Sequence, residues 1–528
     1  MKRNRNGVAV PVFAFLAAAL AAQGASAQAK ISAKERTLTV MLSENANQPV
    51  KEFAPAQQEI FRNTNIKIHF EPVPASNYED KKKILLATDS LPDIISVKQQ
   101  DLNDFGSTGV FLPLTQYLKD MPNFRKFWEA IPEIRSTLVD GELYAFPVVA
   151  RGEARNGPGP VIRMDLLEKH GIPVPRTWDE LLSALAKLKA IYPDSVPWSV
   201  RKANNPIPRL INTTMYMLGS GAGTTGIYYE GDEKSGRYVF GPATKEFKEG
   251  LRFLARAFEA KVLDPDYAVT TSQQWTQNLT SGRSFFFNDN SGFGLNYTND
   301  LRKKEPNAKL QVIPIPANSN GARRAEFFNT RLSGISFAIN AKTKDPRTVI
   351  KFIDWLYSKE GSDITNFGVP GQTFTLDAKG EPRFVPSYVD KFKDARPSPY
   401  YAIYSDLGIT KLNFSLWAVN TVSQFQIEKL TGTWSPLYDD YWKIVDADAA
   451  YRDPVMDPPL SSDEAERAKE ILASLSTMLA QEYDKFIMGV KPVDQYDEVI
   501  RNARKMGSEE LEGIYNKALA RLRASMKG

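Results

Sequence analysis

The chain contains no cysteine and only two histidines among its 528 residues. Without cysteine there is no disulfide framework, no thiolate nucleophile, no cysteine-bound metal and no sulfur that could carry a lipid anchor. His69 and His170 are too few for a three-histidine or HExxH zinc site, and neither belongs to a recognisable catalytic triad. We therefore expect no metal, no cofactor and no enzymatic activity.

The chain also lacks a strong excess of one charge sign, and long apolar runs are rare. The formal net charge is +5, and three of the positive charges, Lys2, Arg3 and Arg5, fall in an N-terminal segment that we expect to be removed, which leaves +2. No basic run of the kind that binds nucleic acid is present, so no nucleic-acid partner is expected. After that segment, no stretch approaches the roughly 18 apolar residues that a membrane-spanning helix needs.

Residues 1–27 have the three parts of a secretory signal peptide. A charged start precedes the apolar run Val8–Ala22, and the small residues Ala25-Ser26-Ala27 form a cleavage site before Gln28. The alternative is an uncleaved membrane anchor, but Pro11 interrupts the run and the run is short for a span. We expect a soluble, exported protein of the periplasm without a lipid anchor.

Short β-branched runs alternate with helical patterns between residues 37 and 96. The predicted elements are strands at Thr37–Leu42, Ile66–Phe70 and Asp93–Ser96, and helices at Val50–Arg62 and Tyr78–Ala87. This β-α-β-α-β order is typical of a parallel sheet covered by helices.

Polar side chains follow the carboxyl ends of the first and third predicted strands, where ligands of parallel sheets bind. Glu44 and Asn45 follow the first strand, and Lys98 follows the third. We take these three residues as candidate ligand contacts, although exposed loops are polar for other reasons too.

A second α/β region begins at Val161, after the Gly-, Arg- and Pro-rich segment Ala150–Pro160. We predict an α/β fold of two lobes with extra C-terminal helices. Residues 28–149 with 335–375 form the N-terminal lobe, and residues 150–334 with 376–528 form the C-terminal lobe and its bracing helices. The chain crosses between the lobes near Val148–Ala150 and Ser333–Ala341.

Helical patterns are clear in the second half of the chain, and we predict helices at Asn413–Leu430, Asp463–Met488 and Val493–Ala524. Ile471, Leu475, Met478 and Leu479 repeat at helical spacing, which indicates core packing.

The run from Pro175 to Leu181, "PRTWDEL", predicts the start of a helix. Thr177 is the expected N-cap, and Glu180 completes a capping box three residues later. We expect Trp178 to pack in the core instead of contacting a ligand.

Several phrases carry a family resemblance from about Thr37 to the C-terminus. They are "SLPDII", "GVFLPL", "DGELYAFPV", "KFIDWLYSKEGSDITNFGVPGQTFTLD" and "YDKFIMG". In this order and spacing they resemble extracellular (periplasmic) solute-binding proteins of ABC importers, of the oligosaccharide-binding family 1 type. The most similar members that we identify bind alginate oligosaccharides and unsaturated uronate disaccharides.

This resemblance implies a two-lobed periplasmic-binding-protein fold. It also implies that the protein captures an oligosaccharide in the cleft between the lobes and delivers it to the transmembrane permease subunits. A uronate-containing sugar is one candidate ligand, and the protein is expected to act as a monomer.

The resemblance also suggests where the ligand binds. Trp417 matches a tryptophan that stacks on sugar in the alginate-binding relatives, with core packing as the alternative. Asp289 and Asn290 fall where those relatives place ligand contacts. Asn290 stands in place of a second stacking tryptophan, which argues against alginate itself as the ligand.

Arginine is the natural bidentate partner of a uronate carboxylate. Arg151, Arg155, Arg163 and Arg331 flank the predicted crossings and are therefore candidate cations, with an ordinary surface role as the alternative.

The alginate-binding relatives carry a calcium loop after the helix that corresponds to Leu181–Ile191. Here the next residues include one carboxylate, Asp194. Because calcium takes six or more oxygen ligands, we predict no structural calcium at this position.

Two alternatives remain open at this point. A secreted glycosidase would use two carboxylates, for which pairs such as Asp439 and Asp440 are available. A receptor subunit that senses a glycan or peptide would share the fold and the cleft.

Overall fold

A computed structural model describes residues 30–44, 48–150, 158–202, 207–223, 225–232, 234–327, 332–395, 398–409, 418–421, 423–431, 443, 447, 450–455 and 457–526. Within these ranges, the side chains of residues 292, 294–296, 333–336 and 424–425 are not described. The predicted signal peptide falls outside these residues.

Most strands of the described ranges are short. They are Arg36–Glu44 (β1), Ile66–Pro74 (β2), Ile94–Ser96 (β3), Ala145–Ala150 (β4), Pro158–Arg163 (β5), Ile227–Glu230 (β6), Arg237–Phe240 (β7), Phe286–Asn290 (β8), Leu310–Val312 (β9), Ala325–Glu326 (β10), Leu332–Ile339 (β11), Phe374–Leu376 (β12), Pro382–Phe384 (β13), Val419–Asn420 (β14) and Tyr451–Arg452 (β15).

The α-helices of the described ranges lie between and after these strands. They are Pro55–Thr64 (α1), Tyr78–Ala87 (α2), Gln99–Phe105 (α3), Pro122–Ala130 (α4), Met164–Lys169 (α5), Trp178–Ile191 (α6), Arg209–Leu218 (α7), Lys245–Glu259 (α8), Ser272–Thr280 (α9), Gly292–Leu301 (α10), Pro346–Leu356 (α11), Lys359–Phe367 (α12), Pro386–Val389 (α13), Pro399–Leu407 (α14), Ser423–Leu430 (α15), Ser462–Ile487 (α16), Tyr496–Lys505 (α17) and Ser508–Ser525 (α18).

The first lobe is built on a six-stranded sheet in the order β14-β4-β11-β3-β1-β2. β1 runs parallel to β2 and to β3, which confirms the predicted parallel arrangement of the first three strands. β11 is antiparallel to both of its neighbours, β3 and β4. The chain thus leaves the first lobe after β4 and returns to it as the adjacent strand β11.

Apolar side chains cover both faces of this sheet because the side chains of β1 alternate. Leu38, Val40 and Leu42 lie in the cluster packed under α1 and α11, whereas Met41 lies in the cluster under α2. Each fully buried aliphatic side chain of this kind contributes about 1.5–3 kcal/mol to folding.

The second lobe is built on the three-stranded sheet β8-β5-β9. Trp198 extends it through parallel bridges to Leu263 and Phe286. On the long helix α16, Ile471, Leu475 and Leu479 are buried in the core of this lobe, and Met478 is partly buried against it. The predicted packing role of this stripe is confirmed.

The start of α6 agrees with the prediction in part. Thr177 Oγ1 accepts a hydrogen bond from Glu180 N at 3.1 Å, so Thr177 is the N-cap. The Glu180 carboxylate accepts from Arg176 N at 2.7 Å, one residue before the backbone group that a capping box uses. Trp178 is buried and its ring stacks at 6.2 Å from that of Trp198, as the packing prediction required.

The described residues between Phe374 and Ile427 pack on the first sheet. Phe384 and Ile427 are buried in the cluster that covers β1, and β14 pairs with β4 at the edge of the sheet. The sequence prediction assigned residues 376–528 to the C-terminal lobe. The observed packing instead favours the first lobe for the described residues between 376 and 431, because side chains such as Phe384, Val419 and Ile427 are buried against its sheet. The remaining predicted boundaries stay predictions.

Two predicted C-terminal helices differ from the structure. Of the predicted helix Asn413–Leu430, α15 accounts for Ser423–Leu430. The prediction was wrong for Val419–Asn420, which form β14, and residues 413–417 and 422 lie outside the described residues. The predicted single helix Val493–Ala524 was wrong, because Gly507 separates α17 from α18 with a φ of 100°. A left-handed backbone is disfavoured for residues with a Cβ, so glycine allows the chain to turn here.

No helix in the described ranges combines the length and the apolar character required to cross a membrane.

We predict that Gly507→Ala lowers the free energy of unfolding by about 1–2 kcal/mol, since alanine is strained at this backbone geometry. Its Cβ would also lie 3.2 Å from Cγ1 of Ile471. Urea titration followed by circular dichroism measures the change.

Gly513→Ala is the matched control. Gly513 is exposed inside α18, and a Cβ there would meet no described atom within 4 Å. Alanine should stabilise this position by about 0.5–1 kcal/mol. A loss of stability of the same size in both variants would contradict the role given to Gly507.

Candidate functional site

The candidate site is the cleft where strand ends of the two lobes meet, which we call the interlobe cleft. β4 ends at Ala150 in the first lobe, and β5 begins the second lobe at Pro158. β5 and β8 are antiparallel, with Pro158 opposite Asn290 and Gly159 opposite Asp289. The carboxyl end of β8 therefore lies at the edge of the second sheet where the chain enters from the first lobe.

Four of the predicted site residues lie outside the described residues: Asn45, Arg151, Arg331 and Trp417. The same holds for Arg155. Their roles stay predictions.

The other two candidates of the first lobe lie at strand ends and make local bonds. Glu44 is half-buried at the end of β1, and its Oε1 accepts from Val50 N at 3.0 Å. Lys98 follows β3, is 68% exposed, and its Nζ lies 2.8 Å from Oε1 of Glu79. Burial would raise the pKa of Glu79, but hydrogen bonds from Lys98 and Lys82 hold it below its ordinary value.

The structure does not place Arg163 at the cleft. Its side chain is 1% exposed and pairs with Asp165 at 2.7 Å and Glu305 at 2.6 Å. Arg163 also ends β5, so it lies roughly 16 Å along the strand from Pro158. The prediction of a ligand contact is corrected here, because the guanidinium is buried and satisfied by carboxylates of its own lobe.

Asp289 is buried at the carboxyl end of β8 and is held by two arginines. Arg201 donates Nε–H to Oδ2 at 2.9 Å and Nη2–H to Oδ1 at 3.1 Å. Arg209 donates Nε–H to Oδ2 at 3.2 Å and Nη2–H to Oδ1 at 2.6 Å. The backbone N–H of Asn290 donates to Oδ1 as well, at 2.6 Å. The Asp289 carboxylate thus organises the site from within instead of facing a ligand.

The electrostatics follow from this geometry. Burial would raise the pKa of the Asp289 carboxyl, but the hydrogen bonds from Arg201 and Arg209 outweigh it and hold the pKa below its ordinary value. Burial would lower the pKa of Arg201, whereas its hydrogen bonds to Asp289 raise it. The Asp289 carboxylate and the Arg201 guanidinium are therefore charged at neutral pH.

Aromatic rings hold one of the two guanidiniums in place. The Arg201 guanidinium lies 5.3 Å from the ring centroid of Trp275 and 5.2 Å from that of Phe293. Trp275 is itself buried, and its Nε1–H donates to the carbonyl of Ser199 at 3.2 Å. Such cation–π contacts add attraction and restrict the rotamers of the arginine.

Sequence reasoning missed Arg201 and Arg209. They lie 88 and 80 residues before Asp289 in the chain, and they reach it through the fold. The sequence around each arginine carries no motif that would have identified it.

Recesses lie between the two lobes near Lys98. One, of about 520 Å³, is lined by residues of both lobes, including Lys98, Gln99, Thr137, Asp457 and Tyr515. A smaller one of about 350 Å³ lies along α18, and Ser136 lines both. Ligand pockets typically enclose about 300–1,000 Å³, so the space between the lobes is large enough for a small ligand.

Metal-binding groups are not found in the described ranges, where no cluster of three or more His, Asp or Glu side chains could hold an ion. In the loop after α6, Lys189 Nζ donates to the carbonyls of Pro193 at 2.7 Å and Ser195 at 2.6 Å. The carbonyl oxygens on either side of Asp194 therefore accept hydrogen bonds from an ammonium group of the chain itself.

We predict that Asp289→Asn lowers the free energy of unfolding by about 2 kcal/mol at pH 7, because two charged hydrogen-bond donors lose their anionic partner. The folded-state pKa of Asp289 is depressed, so its contribution is present above the ordinary pKa of about 4 and is lost as the pH falls through the lower folded value. The difference between the wild type and the variant should therefore shrink below pH 4. Denaturant titrations at pH 3 and pH 7 measure it.

Asp179→Asn serves as the control, because Asp179 is an exposed carboxylate paired with Arg256 on the surface. It should change stability little at either pH. A loss in Asp289→Asn that does not depend on pH would contradict the charged state assigned to this carboxylate.

Proteins with similar sequences and a similar fold are known. Two relatives from Bacillus subtilis are similar in sequence. Lipoprotein LipO is 24% identical over 71% of this chain and 74% of its own length. Polygalacturonan/rhamnogalacturonan-binding protein YtcQ is 22% identical over 89% of both chains. The crystal structure of alginate-binding protein AlgQ2 without calcium ion superposes with a TM-score of 0.72 at 23% identity, over 93% of this chain and 99% of that one.

The family assignment rests on a longer match. The family model described as bacterial extracellular solute-binding protein matches residues 43–363, which is more than half of the chain. This span includes β2 and β3 of the first lobe, the crossing after β4 and the Asp289 cluster of the second lobe. The chain belongs to the bacterial extracellular solute-binding proteins.

Proposed function

We propose that this protein is the solute-binding component of an ABC importer, which captures an oligosaccharide in the interlobe cleft and passes it unaltered to the membrane permease. The observation that carries the proposal is the match to YtcQ, a protein named for binding polygalacturonan and rhamnogalacturonan, over 89% of both chains. The open cleft between two lobes supports the proposal, because an oligosaccharide needs an extended surface on both sides.

The proposed place of action is the periplasm. The signal-like residues 1–27 support export, and the chain has no cysteine to which a lipid could be attached. The proposed working form is a monomer whose protein partners are the transmembrane subunits of the importer.

Binding is proposed to close the lobes. A ligand that contacts both lobes stabilises the closed form by the difference between its affinities for the closed and open forms. Crossing strands such as β4 and β11 allow rotation of the lobes as rigid bodies, as in other hinge motions of binding proteins. The closed form would then present its surface to the permease.

The proposed contacts on the sugar come from both lobes. Glu44, Asn45 and Lys98 would bond to hydroxyl groups from the first lobe, and Asn290 from the second. Trp417 would stack on the apolar face of a sugar ring.

We predict saturable binding without turnover. Isothermal titration calorimetry of the mature chain against neutral and uronate oligosaccharides of two to six sugars should give a dissociation constant in the micromolar range or below for at least one of them. Chromatography of the same mixtures after overnight incubation should recover the sugar intact. Cleavage products formed at catalytic amounts of protein would instead support a glycosidase.

A further inference from the structure

We propose that Arg201 and Arg209 form a carboxylate-binding pair, and that the solute of this protein is an acidic oligosaccharide. This inference rests on the proposed function and adds the charge of the ligand to it. The pair lies at the carboxyl end of β8, at the edge of the second sheet from which the chain crosses to the first lobe.

The charges of the cluster do not balance. Two guanidiniums share the single carboxylate of Asp289, so within the part of the chain that the structure describes one positive charge has no carboxylate of its own. Among the residues that the structure describes, no other Asp or Glu lies within 4 Å of either guanidinium. A partly buried cation without a counterion is unfavourable, so the site gains free energy when an anion binds.

The pair also has donors to offer. A guanidinium carries five N–H groups, and Arg201 and Arg209 each use Nε and one hydrogen of Nη2 on Asp289. Across the described ranges, the Nη1 groups of both arginines have no hydrogen-bond acceptor. Both side chains are 24% exposed, so solvent and solutes can reach them. Planar pairs of N–H groups match the geometry of a carboxylate.

Asp289 acts as the positioning residue of this pair. Its two oxygens fix both guanidiniums, and the rings of Trp275 and Phe293 restrict Arg201 further. Arginines held in place before binding lose less rotamer entropy when the ligand arrives, which favours affinity and selectivity. Arg209 is also the first residue of α7, where the helix dipole favours an anion.

A different arginine pair of the second lobe has balanced charges, in contrast to Arg201 and Arg209. Arg324 and Arg452 both lie over the ring of Tyr216. There, Glu230 pairs with Arg324 and Glu326 pairs with Arg452, at 2.9 and 2.6 Å. Each of these two arginines thus has a carboxylate of its own, in contrast to the shared Asp289.

The test compares matched sugars on the full mature chain. The probes are tri- and tetrasaccharides of galacturonate and of mannuronate, each beside its carboxyl-reduced neutral counterpart, titrated by calorimetry. The wild type should bind an acidic sugar at least about 10-fold more tightly than its neutral counterpart, the effect of one to two charge-assisted hydrogen bonds. Arg201→Gln and Arg209→Gln should each bring this ratio down towards one. The control Arg256→Gln, on the surface of α8, should leave it unchanged.

The ratio separates charge recognition from damage to the fold, because a misfolded variant loses both sugars together. Arg209→Lys, which keeps the charge but not the planar fork, should retain part of the preference. Equal binding of acidic and neutral sugars by the wild type would overturn the inference and leave the proposed function in place. Failure of the wild type to bind any of the sugars would overturn both.

Discussion

The antiparallel insertion of β11 between β3 and β4 is the constraint on which the rest of the structure depends. Because β4 and β11 are neighbours in one sheet, the chain leaves and re-enters the first lobe at the same place. The crossings after β4 and before β11 are therefore closely spaced, and the strand ends on either side of them border a shared cleft. A ligand held in this cleft would contact both lobes at once, and this would couple the proposed binding to a change in their relative position.

The second lobe adds a charged group at the edge of its sheet where the chain enters from the first lobe. A buried aspartate would be costly on its own, and Asp289 is tolerated because Arg201 and Arg209 pair with it. The cost of burying one carboxylate thus explains why two cations are ordered at the end of β8. In the first lobe the buried group is a cation instead: the ammonium of Lys82 is buried and lies 2.6 Å from the Asp101 carboxylate. In both lobes, a buried charged side chain is therefore paired with an opposite charge of the same lobe.

Sequence patterns predicted local structure well where the pattern itself is local. Tyr78–Ala87 was predicted with the bounds that the structure has, and Thr177 caps α6 as its spacing required. The hydrophobic pattern did not show that one helix ends and another begins at Gly507, because helix-forming residues lie on both sides of it. The fold class followed from the alternation of strands and helices together with the family resemblance.

The site was harder to predict because its members meet only through tertiary structure. Asp289 was identified by its place after a strand, but its arginine partners are 80 and 88 residues away. Arg163 was chosen for its position near a crossing, and burial at the other end of β5 gives it a structural role.

The most direct test of the whole account is a change in the distance between the lobes when sugar binds. Because the chain has no cysteine, Lys83→Cys in α2 and Lys245→Cys in α8, both exposed, can carry a pair of fluorescent labels. Energy transfer between them should shift at saturating acidic oligosaccharide, while a pair within the second lobe, at Lys245 and Lys303, stays constant. An unchanged distance between the lobes at saturation would contradict the account.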